Sequence, residues 1–287
     1  MRLKFWCVAL SGLMMVGCHR EAPPKLGVVA HPHYVLSAPW LVGGHWFYPS
    51  ERYDVQETGL ATIQSSEPSG GVTEDGEVWR ADGMTGAMPD VQLPILVTVR
   101  NLVNGRSVRV RINDRGPARI GRLMSVTPRV ASLLAMQGDT PVSVTEDETG
   151  THALDAALGG PTLEVQAAPL AGVRAESLDG KGEGRMYGSA IGGSAATAPF
   201  VMEDLPQQWV QSSVGPTALF VEIGRFQSQN AARMVVRRCG GNVLDRPVRD
   251  GLVWNVRSGP YATLQSADAA LDQTLSCGVE GARIVIE

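Results

Sequence analysis

The stretch from Thr98 to Pro117, TVRNLVNGRSVRVRINDRGP, constrains the fold more than any other part of the chain. Val97, Val99, Val108, Val110 and Ile112 alternate with polar partners. One face of two extended runs therefore packs inward, while the other carries Arg100, Arg109 and Arg111. Asn104-Gly105 falls where the alternation pauses and supplies the two positive-φ residues of a tight type I′ hairpin turn. Beyond Ile112 the strand stops at Asn113-Asp114-Arg115-Gly116-Pro117. A carboxylate, a guanidinium and two backbone punctuators at a strand's end suit a site on a rigid scaffold. They suit equally an Asx-type turn in which Asp114 bonds its own backbone, and the segment alone leaves both readings open.

A chain of 287 residues has room for two domains, each with its own core. Net charge is −4 with Lys and Arg scattered, so there is no basic stripe and nucleic acid is set aside as a partner. Between residues 58 and 147 the signals are short strands: Gly59 to Ile63, Leu96 to Asn101, Ser107 to Ile112 and Val142 to Val144. One helix intrudes, with Thr127 as its cap, Pro128 in its first turn and Val130, Leu133 and Leu134 on one face. Glycines and prolines between the strands predict a small closed barrel. Residues 148–214 turn to Ala, Gly, Ser, Thr and Pro without an apolar period, the composition of a flexible linker. Residues 215–287 hold two similar halves, LFVEIGRF before SQNAARMVVRRC and LVWNVRSGPY before SADAALDQTL, closed by Arg283 to Ile286. Ser228 and Ser266 stand as N-caps and Ala267, Ala270, Leu271 and Leu275 form an apolar stripe, giving a βαββαβ, ferredoxin-like order.

At the N-terminus Arg2 and Lys4 precede an apolar run from Phe5 to Val16, a signal-type segment over residues 1–17 that predicts export. Met15-Val16-Gly17-Cys18 resembles a bacterial lipobox, which implies lipidation (palmitate) of Cys18 and a tether to the membrane rather than a span. His19 rather than Asp follows, a pattern that among such lipoproteins implies the periplasmic face of the outer membrane in a Gram-negative bacterium. Cys7 leaves with the signal, so Cys239 and Cys277 remain as the internal pair. An oxidising compartment permits a disulfide between them, and two buried free thiols are the alternative. Residues 18–57 are rich in proline and aromatics. His31, His33 and His45 have no carboxylate or cysteine at ligand spacing, so no metal is expected and the segment reads as an aromatic belt on the next domain.

The barrel region has too little histidine for a Ser-His-Asp triad, no cysteine, and no phosphate-cradling loop before a helix, so no cofactor is expected. Carboxylates remain: Glu77, after Asp75-Gly76, and Asp114 are the candidates for acid/base work. Glycan cleavage needs one carboxylic acid to protonate the glycosidic oxygen and a partner carboxylate beside the cationic centre, and a barrel mouth has room for both. For Glu77 alone, a solvated loop residue is the competing reading.

The segments GLAT, GEVW, MTGAM, LVNGRSVRVRINDRGP and GRLMSVT resemble the rare lipoprotein A family over about residues 58–147. The resemblance implies a small six-stranded double-psi β-barrel and endolytic lytic transglycosylase activity on peptidoglycan strands lacking stem peptides. It implies Asp114 as acid/base and Glu77 as support for the transition state; Arg115 is a candidate toward the sugar, and Trp79 either stacks on a sugar face or is a core aromatic. The chain departs from the family pattern at three places: the family's histidine falls on Met88, its Tyr-Asp on Trp79-Arg80 and a later Asp on Ser125. Methionine neither donates nor changes charge, so a catalytically impaired peptidoglycan-binding protein is the alternative. Residues 217–287 resemble a SPOR domain, which implies recognition of denuded glycan and gathering at the division septum. Glu222, Arg225, Trp254 and Arg257 are its implied sugar-binding residues.

Overall fold

Alternation of apolar and polar residues along β-strands closes here into a barrel. The computed structural model describes residues 28–64, 70–162, 202–215, 217–248 and 251–287. The signal segment with Cys18 and the middle of the expected linker lie outside the described residues. A short hairpin of β1 (Trp40–Val42) and β2 (His45–Phe47) precedes six barrel strands. These are β3 (Gln56–Ile63), β4 (Thr85–Ala87), β5 (Ile95–Asn101), β6 (Arg106–Asp114), β7 (Met124–Val126) and β8 (Thr140–Glu146). Pairing runs β4-β7-β3-β8-β5-β6 and returns from β6 to β4. The joints β3–β7 and β4–β6 are parallel and the others antiparallel.

The alternation read from the sequence is what fills this barrel. Val97, Val99, Val108, Val110 and Ile112 are all buried, packed with Met124, Val126, Val130 and Leu134. Each such side chain contributes roughly 1.5–3 kcal/mol. Helix α1 (Pro128–Leu133) has Thr127 at its N-cap, where the side chain accepts the Val130 N–H.

The tip of the β5–β6 hairpin differs from the type I′ turn expected. The loop runs from Leu102 to Gly105, and only Gly105 is left-handed, at φ 78°. Asn101 and Asn104 act through their side chains instead. Their oxygens accept the N–H groups of Val103 and Arg106 at 2.8 and 2.9 Å, and both amides donate to Leu134 O at 2.9 Å. Asparagine's capacity to mimic backbone thus ties the hairpin tip to the end of α1.

Part of the expected linker is structured. Helix α2 (Glu148–Ala157) starts at Asp147, whose side chain accepts the Gly150 N–H, and packs on β5. Polar contacts hold it: Thr151 Oγ1 accepts the Leu96 N–H at 3.1 Å, and the Tyr53 hydroxyl donates to Asp155 at 3.0 Å. Residues 202–215 also run along the barrel. Leu205 packs on its core, Trp209 lies 4.3 Å beneath the Arg106 guanidinium, and β9 (Val210–Gln211) pairs with the start of β6. In the N-terminal segment Trp46 and Tyr48 are exposed, while Trp40 is held. Trp40 stacks on Phe47 at 4.9 Å and donates its indole N–H to Pro89 O at 2.9 Å.

The C-terminal unit consists of β10 (Leu219–Phe226), α3 (Gln229–Cys239), β11 (Asn242–Val248), β12 (Gly251–Tyr261), α4 (Leu264–Ser276) and β13 (Arg283–Ile286). Its sheet is antiparallel in the order β11-β12-β10-β13. Ser228 occupies the N-cap of α3 without a side-chain bond. The cap of α4 is Thr263 rather than Ser266: Ser266 is its N3 partner in a capping box, each side chain bonding the other residue's backbone. A Cys239–Cys277 disulfide, with Cα atoms 5.9 Å apart, joins the end of α3 to the end of α4. The pair is separated by 38 residues. Closing a loop of that length contributes about 4 kcal/mol on the chain-entropy account. Replacing both cysteines by serine is therefore expected to lower the unfolding free energy of the C-terminal unit by that order in a urea titration.

The C-terminal unit seats its β13 edge and α4 on the barrel. Thr58 Oγ1 donates to Ile286 O at 2.6 Å, Gly121 O accepts the Ile284 N–H at 3.2 Å, and Leu60 enters the C-terminal core. Gly121 is left-handed at φ 80°, and a Cβ there would lie 2.1 Å from Leu271 Cδ2. Arg122, almost fully buried, bridges Asp139 of the barrel to Asp268 of α4, and Arg283 pairs with Glu57 at 2.5 Å.

Candidate active site

Asp114 is the last residue of β6, opposite Ala87 of β4 across a register shift. Its Oδ1 accepts two backbone N–H groups, from Arg115 at 2.8 Å and Glu74 at 3.1 Å. Among the described residues neither bond falls on Oδ2. The carboxyl borders a cleft of about 340 Å³ lined by Gln64, Trp79, Arg115, Gly116 and Ser125, among others. Burial pushes its pKa above the ordinary carboxylate value, the neighbouring Glu74 adds to that, and the two N–H bonds oppose it. A carboxyl so placed keeps its proton to higher pH than a solvated Asp, which suits a group that must first donate.

Trp79 lines the same cleft but is only 7% exposed. Its indole N–H donates to Gln64 Oε1 at 2.7 Å, and Gln64 Nε2 donates to Ser125 Oγ at 3.4 Å. Trp79 is therefore a wall of the cleft and shows little open face for a sugar. Gln64 and Ser125 supply the polar lining; no sequence signal marked Gln64, which follows β3 directly. Arg115 also borders the cleft, yet its guanidinium is spent on the protein, donating to Ser37 Oγ at 3.0 and 3.1 Å and to Val91 O. It clamps the N-terminal segment against the site.

Glu77 is elsewhere. Arg111 forks onto it, Nε to Oε1 and Nη2 to Oε2, both at 2.6 Å, and its Nη1 donates to Glu203 O at 3.0 Å. This buried pair faces a separate, smaller cavity of about 190 Å³ with Arg80, Met84 and Asp204. The two candidate carboxylates do not share a barrel mouth. The reason is local: Arg111 and Asp114 are three residues apart on one strand and project to opposite faces, and Glu77 follows Arg111. Met88 is fully buried in the barrel core and does not line the Asp114 cleft. Its N–H donates to Asp114 O at 3.2 Å, so the residue supports the strand end through its backbone.

In the C-terminal unit the four sugar-binding candidates separate. Glu222 is buried among three guanidiniums, Arg225 at 3.0 Å, Arg283 at 3.5 Å and Arg257 at 3.6 Å. Arg257 is buried too and also pairs with Glu287. These two are internal ion-pair partners rather than free recognition groups. Trp254 packs against the C-terminal hydrophobic core. Arg225, half exposed, borders a cleft of about 630 Å³ between this unit and the barrel, with Trp46, Tyr48, Arg52 and Arg238 on its walls.

No family model matches the chain. The endolytic peptidoglycan transglycosylase RlpA of Escherichia coli K12 is 26% identical over 275 residues, covering 76% of this chain and 75% of that protein. The protein of the same name from Pseudomonas aeruginosa PAO1 is 26% identical over 278 residues, covering 88% of this chain and 81% of that protein. That from Salmonella typhimurium is 35% identical over 179 residues, covering 55% and 46%. Similarity over this much of the chain, with a closed six-stranded barrel, bears out the resemblance to the rare lipoprotein A family.

Proposed function

We propose that the chain is a peptidoglycan-acting lipoprotein whose barrel is an endolytic lytic transglycosylase cutting peptide-free glycan strands. The observation that carries this reading is the Asp114 carboxyl, held on one oxygen at the rim of a cleft, where burial raises its pKa. In the reaction Asp114 gives its proton to the glycosidic oxygen as the bond from the anomeric carbon to that oxygen breaks. The carboxylate then takes the proton of the sugar's own 6-hydroxyl as that oxygen bonds the anomeric carbon, closing a 1,6-anhydro ring. The proton is returned and no water is consumed. Glu77 supports this indirectly, by anchoring the loop whose Glu74 N–H holds Asp114, since Arg111 already occupies both of its oxygens.

The C-terminal unit is read as a SPOR domain that takes the protein to denuded glycan at the septum. Its strand and helix order and strand arrangement support that reading. The lipid at Cys18 would hold the chain at the periplasmic face of the outer membrane. A second reading, a peptidoglycan-binding protein without cleavage, is favoured by Met88 in the core and by Glu77 locked away from Asp114. The two part on one experiment. The chain from residue 19 onward, mixed with amidase-treated and with intact sacculi, is expected to sediment with the amidase-treated material and to release soluble glycan from it. Binding without release would establish the second reading, and equal binding to both substrates would contradict the SPOR assignment.

A further inference from the structure

Asp75 is fully buried, and the acid/base chemistry above does not use it. Its Oδ1 accepts the Thr73 hydroxyl at 2.7 Å and the Glu77 N–H at 3.0 Å, closing the turn from Thr73 to Glu77. Its Oδ2 meets no donor. A fully buried carboxyl with one oxygen unbonded and no cation beside it costs far less to hold neutral than ionised. Glu77 has Arg111 on both oxygens, whereas Asp75 pairs with no cation among the described residues, so the proton belongs on Asp75. The same turn donates Asp75 N–H to Asn113 O at 3.2 Å and Glu74 N–H to Asp114 Oδ1 at 3.1 Å.

We propose that Asp75 is a neutral acid in the folded protein and a positioning residue, whose closed turn sets the Glu74 N–H against the Asp114 carboxyl. The assignment rests on the reading of Asp114 as the acid/base. Burial, and then the charge of Glu77, push the Asp75 pKa up to about 8. The other titratable or charged groups around the turn are Glu74, Asp114 and Arg111, with His31 and His33 on the N-terminal segment. That segment is laid on the turn by backbone bonds of 2.9 Å from His31 to Gly76 O and 2.8 Å from His33 to Asp75 O. Between the ordinary Asp value and about 8 the folded chain keeps a proton that the unfolded chain has released. Stability therefore falls as pH rises through that window and levels off above it.

The test is carboxyl-carbon NMR titration of the wild type, Asp75→Asn and Asp75→Ala, with urea unfolding of the first two from about pH 4 to about pH 9. The Asp75 resonance is expected to titrate near neutrality or above. Asp75→Asn, which mimics the neutral acid, is expected to gain stability relative to wild type steadily across the window and to leave the Asp114 titration in place. Asp75→Ala is expected to open the turn, remove the Glu74 N–H from Asp114 and move the Asp114 pKa further up. A wild-type Asp75 titrating at the ordinary carboxylate value, or parallel stability curves for wild type and Asp75→Asn, would overturn the neutral-acid assignment. An Asp114 titration unmoved by Asp75→Ala would overturn the positioning role; should that variant not fold, Asp75→Ser replaces it on the same criterion. None of these readouts depends on turnover, so a chain that cleaves no glycan would remove the proposed activity without touching them.

Discussion

Asp114→Asn is expected to lower glycan release by roughly 100- to 10,000-fold while leaving the fold intact. The amide keeps the shape of the carboxyl, and its oxygen still accepts the Arg115 and Glu74 N–H bonds. It cannot deliver a proton to the leaving oxygen or take one from the 6-hydroxyl. The stability effect has the opposite sign. Burial raises the Asp114 pKa, so folding disfavours the ionised form, and the wild type loses stability as pH rises from the ordinary carboxylate value through the raised one. Asp114→Asn removes that loss, and its thermal midpoint at pH 8 is expected to equal or exceed that of the wild type, as for other polar groups held in place for function. A variant that lost activity together with its melting transition would show a structural rather than a chemical role.

Arg111→Ala is expected to destabilise the barrel by roughly 3–5 kcal/mol, the cost of removing one partner of a buried pair. The side chains of Arg111 and Glu77 are 7% and 11% exposed. Without the guanidinium, Glu77 would face Asp75 with no matching cation, and Glu203 O would lose its donor. Urea unfolding followed by tryptophan fluorescence measures the shift. The double variant Arg111→Met, Glu77→Gln removes both charges of the pair, and is expected to recover much of the loss because the partners are removed together. This separates the two carboxylates of the barrel: Glu77 variants lower stability first and turnover only through it, whereas Asp114 variants lower turnover alone.

The difference between these two residues is also what the sequence could and could not say. Asp114 is legible as far as its placement is local, through the alternation along β6 and the strand's end at the Asn-Asp-Arg-Gly-Pro motif, whereas the Glu74 N–H that holds its carboxyl comes from 40 residues away. Glu77 is not legible, because its partner Arg111 is 34 residues away and meets it only when β6 takes its place in the closed barrel. Arg111 itself looks like a solvent-facing strand residue, and residues 202–205 cover it from a distant part of the chain. Helix α2 escaped for a similar reason. Its hold on the barrel is polar, through Thr151 and Asp155, and leaves a weak apolar period in a stretch poor in large side chains. In the C-terminal unit the repeat of strand and helix was plain, but Glu222 and Arg257 face each other across β10 and β12 and neutralise one another, which strand alternation alone does not reveal. Thr263 and Ser266 are both hydroxyl residues at the start of one helix and the capping box uses both, so spacing alone does not tell the cap from its partner.

The most direct test of the glycan-cleaving account is mass spectrometry of the soluble products made from amidase-treated peptidoglycan in oxygen-18 water. Internal attack by the 6-hydroxyl predicts fragments with 1,6-anhydro ends, each lighter by one water than a hydrolysis product, with no heavy oxygen incorporated, and predicts that Asp114→Asn makes none. Reducing ends carrying oxygen-18, or anhydro products undiminished in Asp114→Asn, would contradict it.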